Sequence, residues 1–151
     1  MRSQGFTIVE LLVVISIIGI MVLVFTLNLL SSYRGVQLRD AATQIASDLK
    51  KARSNSQKIS TQISITMPGT NGGATYTVGS SPAVTLANGI MIYCKTNCNP
   101  SSGTFAYQAP YGVIMPVGSV FTIRSPYGNV APLELRLSGV TGKPIIVSAV
   151  P

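Results

Sequence analysis

Apolar residues fall along this chain in three successive patterns. From Phe6 to Leu30 they form an almost unbroken run. A helix of about 25 residues, at about 1.5 Å of rise each, extends roughly 37 Å, which exceeds the ~30 Å hydrocarbon core of a bilayer. The run therefore predicts a membrane-spanning helix. Beyond it, Leu38, Ala41, Ala42, Ile45, Leu49 and Ala52 recur at three- and four-residue intervals, the signature of one narrow apolar stripe on a helix. No proline occurs before Pro68, so the helix is expected to continue to about residue 59. Asp48 stands three residues before Lys51, a spacing that pairs charges on a helix surface.

After residue 59 the pattern shortens to alternating runs: Gln62–Met67, Ala74–Val78, Ile90–Cys94, Thr104–Gln108, Ser119–Ile123, Leu133–Ser138 and Pro144–Ala149. Clusters rich in Gly, Pro, Asn and Ser separate them, as in Pro68–Gly73 and Ser125–Asn129. In Leu133–Ser138, Leu133, Leu135 and Leu137 should point into a core, with Glu134 and Arg136 on a wet face. The fold class expected is α+β: a long N-terminal helix, membrane-spanning in its first half, packed on an antiparallel β-sheet or sandwich-like domain. Four segments follow: 1–5 as a leader, 6–30 as the apolar helix, 31–59 as its amphipathic continuation, and 60–151 as the β-rich domain.

Composition narrows the chemistry. The 151 residues include four acids (Glu10, Asp40, Asp48, Glu134), two cysteines and no histidine. That is poor material for a metal site, a His-based triad or a carboxylate acid–base pair, so neither an enzyme nor a cofactor is expected. Serine and threonine together supply 30 residues, and charged residues only 10%. A neutral, hydroxyl-rich surface with a close cysteine pair suits an oxidising compartment outside the cytoplasm. The basic flank at Arg2 keeps the N-terminus on the cytoplasmic side and places the remainder outside.

Glu10 is the odd residue of the apolar run. A carboxylate moved toward the bilayer centre costs about 2.5–3.5 kcal/mol on insertion scales, so it needs a partner unless it reaches headgroup water. Along the chain the nearby cations are Arg2 and any amine newly exposed by cleavage. The stretch Gly5-Phe6-Thr7-Ile8-Val9-Glu10-Leu11-Leu12 resembles the processing motif of type IV pilins and type II secretion pseudopilins. The resemblance implies that a prepilin peptidase cuts between Gly5 and Phe6 and methylates the new Phe6 amine. It also implies that Glu10 pairs with the Phe6 amine of a neighbouring subunit as it enters a filament. The region Leu38–Lys58, with the later Phe121–Gly128, is similar to the GspH/FimT-like minor pseudopilins and minor pilins.

Cys94 and Cys98, four residues apart beside Asn97, are expected to form a structural disulfide at a tight loop end. A redox pair of the thioredoxin sort uses a two-residue spacer at a helix start, and this spacer has three residues after a strand. The net charge of +7 raises nucleic acid as a partner, with Lys50, Lys51 and Arg53 as the candidate contacts, but the cations are scattered and DNA is not the favoured partner. The expected function is that of a structural subunit, held in the bacterial inner membrane and then assembled with other subunits into a type IV pilus or type II secretion pseudopilus. A DNA-binding minor pilin for natural transformation is the alternative.

Overall fold

A computed structural model of the chain describes residues 7–149, apart from the side chains of Leu27 and Asn28. One helix, α1, runs Ile8–Ile59, and the chain divides into two compact units at Tyr33/Arg34.

Among its described residues the first unit is helix from Ile8 onward. Its described Ile, Leu, Val and Met side chains are exposed on every face, from Ile8 at 84% to Val14 at 45%. An all-round apolar surface on a helix belongs in lipid or against other apolar helices. Two hydroxyls within it are satisfied internally: the Ser16 hydroxyl donates to the Leu12 carbonyl at 2.8 Å, and the Thr26 hydroxyl to the Val22 carbonyl at 2.7 Å. Such bonds back to the preceding turn remove the donors that hydrocarbon would leave unpaired.

The second unit, from Arg34, holds the core. Leu38, Ala41, Ala42, Ile45, Leu49 and Ala52 are all buried, so the expected stripe is the seam of α1 against the β-domain. Two residues extend it: Ala46, and Ser56, whose buried hydroxyl donates to the Tyr107 carbonyl at 3.0 Å. The seven expected strands are present within a residue or two of their predicted ends, and two further short strands join them. In chain order they are β1 (Ile63–Pro68), β2 (Thr75–Val78), β3 (Val84–Thr85), β4 (Met91–Thr96), β5 (Ser102–Gln108), β6 (Val113–Met115), β7 (Val120–Arg124), β8 (Leu133–Ser138) and β9 (Lys143–Ser148). They make a five-stranded sheet, β3-β2-β1-β5-β6, and a four-stranded sheet, β4-β7-β8-β9, with antiparallel pairing throughout.

Both sheets contribute to one core. The first supplies Ile65, Met67, Tyr76, Phe105, Tyr107 and Ile114, and the second Ile92, Cys94, Phe121, Ile123, Leu135 and Leu137. Phe105 joins the two, its ring 5.8 Å from Phe121 and edge-on to Tyr107 at 6.3 Å. Tyr76 and Tyr107 are core residues with polar ends satisfied: Tyr76 donates to Asp48 at 2.7 Å and Tyr107 to the Gly142 carbonyl at 2.9 Å. Burial pushes the Tyr107 hydroxyl up to about 12, and burial with the Asp48 contact raises that of Tyr76.

Glu134 corrects the expectation of a wet strand face. Its residue is only 2% exposed, on the side of β8 opposite Leu135. Lys95 on β4 donates to Oε1 at 2.7 Å, and Arg136 donates through Nη2 and Nε to Oε2 at 2.7 and 2.9 Å. The two long cationic side chains cover the carboxylate, and their apolar stems take the place of water over the sheet. Hydrogen bonds from Lys95 and then Arg136 hold the Glu134 carboxyl below the usual carboxylate range despite its burial.

Candidate processing and assembly site

The start of α1 is built by its sequence. Thr7 precedes the first helical residue, and its Oγ1 accepts the Glu10 N–H at 3.2 Å while its carbonyl accepts that of Leu11 at 3.2 Å. Thr7 is therefore the N-cap and Glu10 the third helical residue, the spacing Thr-x-x-Glu of a capping box. Sequence reasoning singled out Glu10 but missed Thr7, although this spacing was there to be read. The position also places a carboxylate at the positive end of the helix dipole, which lowers the cost of its charge. Glu10 is exposed among Ile8, Val9, Leu11 and Leu12, and among the described residues it has no ion-pair partner. Gly5 and Phe6, the expected cleavage pair, lie outside the described residues.

In the β-domain, Cys94 and Cys98 are joined in a disulfide, with their Cα atoms 6.1 Å apart. Asn97 adopts a left-handed conformation, φ 62°, and donates through Nδ2 to the Val117 carbonyl at 2.8 Å. Backbone bonds tie the loop to its surroundings: Cys94 N–H to the Gly69 carbonyl at 3.0 Å, and Thr70 N–H to that of Asn99 at 3.2 Å. Gly103 on β5 packs under the bridge, where a Cβ would stand 3.0 Å from Cys94 Sγ and 3.1 Å from Phe121. The disulfide thus shapes a loop that is already stitched at several points.

Residues 1–26 match the family model for the prokaryotic N-terminal methylation motif. Comparison with curated proteins finds no match. Among solved structures, the type IV minor pilin FimU of Pseudomonas aeruginosa (strain PAO1) is similar, with a TM-score of 0.56 over 74% of this chain and 87% of that one, at 18% identity. The chain carries the N-terminal methylation motif and has a fold similar to that of a type IV minor pilin. The motif lies in the first 26 residues, and the fold likeness in the long helix packed on antiparallel sheets.

The three candidate DNA contacts differ in their surroundings. Arg53 is half-buried, and its Nε donates to the Gly112 carbonyl at 3.3 Å, which commits it to holding the β5–β6 turn. Gly112 has φ 62°, and a Cβ there would come within 2.9 Å of Arg53 Cγ, so turn and side chain are fitted to each other. Lys51 forms the expected pair with Asp48 at 3.3 Å. Lys50 stays exposed beside it.

Proposed function

We propose that the chain is a minor pilin or pseudopilin subunit, processed by a prepilin peptidase between Gly5 and Phe6, methylated on Phe6, and assembled into a type IV pilus or type II secretion pseudopilus. The observation that carries this reading is the exposed apolar first half of α1, headed by the methylation motif. A surface of that kind needs lipid before assembly and neighbouring helices after it. Before assembly the first unit spans the inner membrane with the N-terminus in the cytoplasm. In the filament Glu10 receives the Phe6 amine of the adjacent subunit, a charge pairing that a lone carboxylate in an apolar surround requires.

Mass spectrometry of the protein from its native membrane should find the first residue to be a methylated Phe6, and a start at Met1 refutes processing. Glu10→Ala should leave membrane levels unchanged or higher, because the insertion cost falls, by at most the roughly 2.5–3.5 kcal/mol of a charge at the bilayer centre. The same variant should lose its place in sheared filaments or pseudopili, and normal incorporation removes the intersubunit role. DNA uptake is the less supported reading, because Arg53 is committed to Gly112 and Lys51 to Asp48.

A further inference from the structure

Arg34 is the first cation after Leu30, four residues on, or about 6 Å of helix rise. The polar layer on each side of the hydrocarbon core is about that thick, so connectivity alone brings Arg34 into the headgroup zone when the apolar segment spans a bilayer. Within the second unit, the Arg34 guanidinium lies 3.8 Å from the centroid of the Tyr127 ring. Tyr127 belongs to the β7–β8 turn and is 43% exposed. Pro126 of that turn touches the β3–β4 loop, where a Cβ on Gly89 would stand 3.3 Å from Pro126 Cγ. Arg124, at the end of β7, is exposed with its guanidinium 5.2 Å from the centre of the Tyr93 ring.

Tyr127 thus lies beside the first residue of the unit, in the loop Ser125–Val130, and neither that loop nor Ala87–Gly89 beside it contains an acid; Arg124 stands three residues before Tyr127. Stacking on a ring occupies a face of the guanidinium and leaves its N–H edges, the fork that binds a phosphate in two places. Tyrosine, with an apolar body and a polar tip, is enriched at the same depth of a membrane.

We propose that Arg34, Tyr127 and Arg124 form a docking surface for anionic phospholipid headgroups, engaged while the subunit is stored in the membrane. The proposal rests on the membrane-storage reading above. Contact with the headgroup phosphates holds the β7–β8 turn against the bilayer, and this contact must be given up when the subunit leaves for the filament. The attraction is electrostatic and local, so it falls off within a Debye length of the surface.

The test uses the full chain in nanodiscs, either phosphatidylethanolamine with phosphatidylglycerol or phosphatidylcholine alone. A fluorophore is attached at Gly128→Cys, where a Cβ meets open space and the native cysteines are already bonded. Headgroup-attached spin labels serve as the quencher, and Ser81→Cys in the β2–β3 turn gives the comparison site. Quenching at position 128 should exceed that at 81 and should be stronger in the anionic discs. Arg34→Ala and Arg124→Ala should each lower the docked-to-free ratio about fivefold. Arg124→Ala leaves the Arg34–Tyr127 stack in place, so its effect separates lipid binding from a merely structural clamp. Quenching independent of lipid charge or of both arginines overturns the proposal, as does a residue-128 crosslink between subunits that depends on Arg34 when quenching does not. A chain that fails to enter the discs at all refutes membrane storage itself, a distinguishable failure.

Discussion

Ile15 and Ile45 are the same residue on the same helix, yet one is 61% exposed and the other fully buried. The first unit of the chain is apolar with nothing of its own to cover it, and the second uses a stripe of small and branched residues to seat a two-sheet domain. Helix formation therefore says little about where stability comes from. In the second unit it comes from side chains of the same molecule. In the first it must come from surroundings, lipid or other subunits, and so the first unit is where the environment can change without unfolding anything.

The sharpest way to break this contrast is to truncate one large apolar residue in each region. Phe105→Ala removes the ring that joins the two sheets and should destabilise the domain by about 3–5 kcal/mol. Leu23→Ala should leave domain unfolding within about 0.5 kcal/mol of the parent, as for a surface site. Denaturant melts of the full chain in detergent measure both, and equal losses would mean that the two regions share one core.

The disulfide comes next in size. A five-residue loop closes little chain, so replacing both Cys94 and Cys98 with Ala should cost about 2 kcal/mol by loop entropy. The stitching at Gly69 and Asn99 should keep the fold intact without the bridge. A larger loss, or a domain that no longer folds, would show that the bridge organises more than its own loop.

Acid provides the smallest and most selective effect. Glu134 has its folded-state pKa depressed by Lys95 and Arg136, so its contribution is present above the unfolded carboxylate value and fades as pH falls through the folded one. Lys95 and Arg136 are each more than half exposed, so solvent screening keeps the net effect to about 1 kcal/mol. Stability of the parent measured downward from pH 7 should drop on the acid side by more than that of Glu134→Gln, which has already lost the charge. Parallel curves would mean that the carboxylate is no more stabilised by folding than by water.

What the sequence made visible followed from periodicity. The 3.6-residue stripe from Leu38 to Ala52 and seven alternating runs were long enough to stand out. β3 and β6 were not, having two and three residues and no alternation to detect; they exist because neighbouring strands offer them an edge. Glu134 was misplaced for a different reason. Alternation correctly put it on the face away from the core, but whether that face is wet depends on which side chains lie across it. Lys95, 39 positions earlier, reaches it only because β4 and β8 flank β7. At the start of α1 Glu10 was conspicuous as a charge among hydrocarbons, whereas Thr7 looked ordinary until its hydroxyl was seen capping the helix.

The order of the chain imposes a delay on the seam of α1. The stripe ending at Ala52 is made early, and part of its cover, Leu135 and Leu137 on β8, comes roughly eighty residues later; at about 5–20 residues per second synthesis takes on the order of 4–16 s to supply it. For those seconds the nascent chain presents two sticky surfaces in series, one addressed to the bilayer and one to a domain not yet made. The small alanines that let the finished seam pack closely also make the second surface the less adhesive of the two, which helps a newborn chain commit its first segment to the membrane before the rest has anywhere to fold.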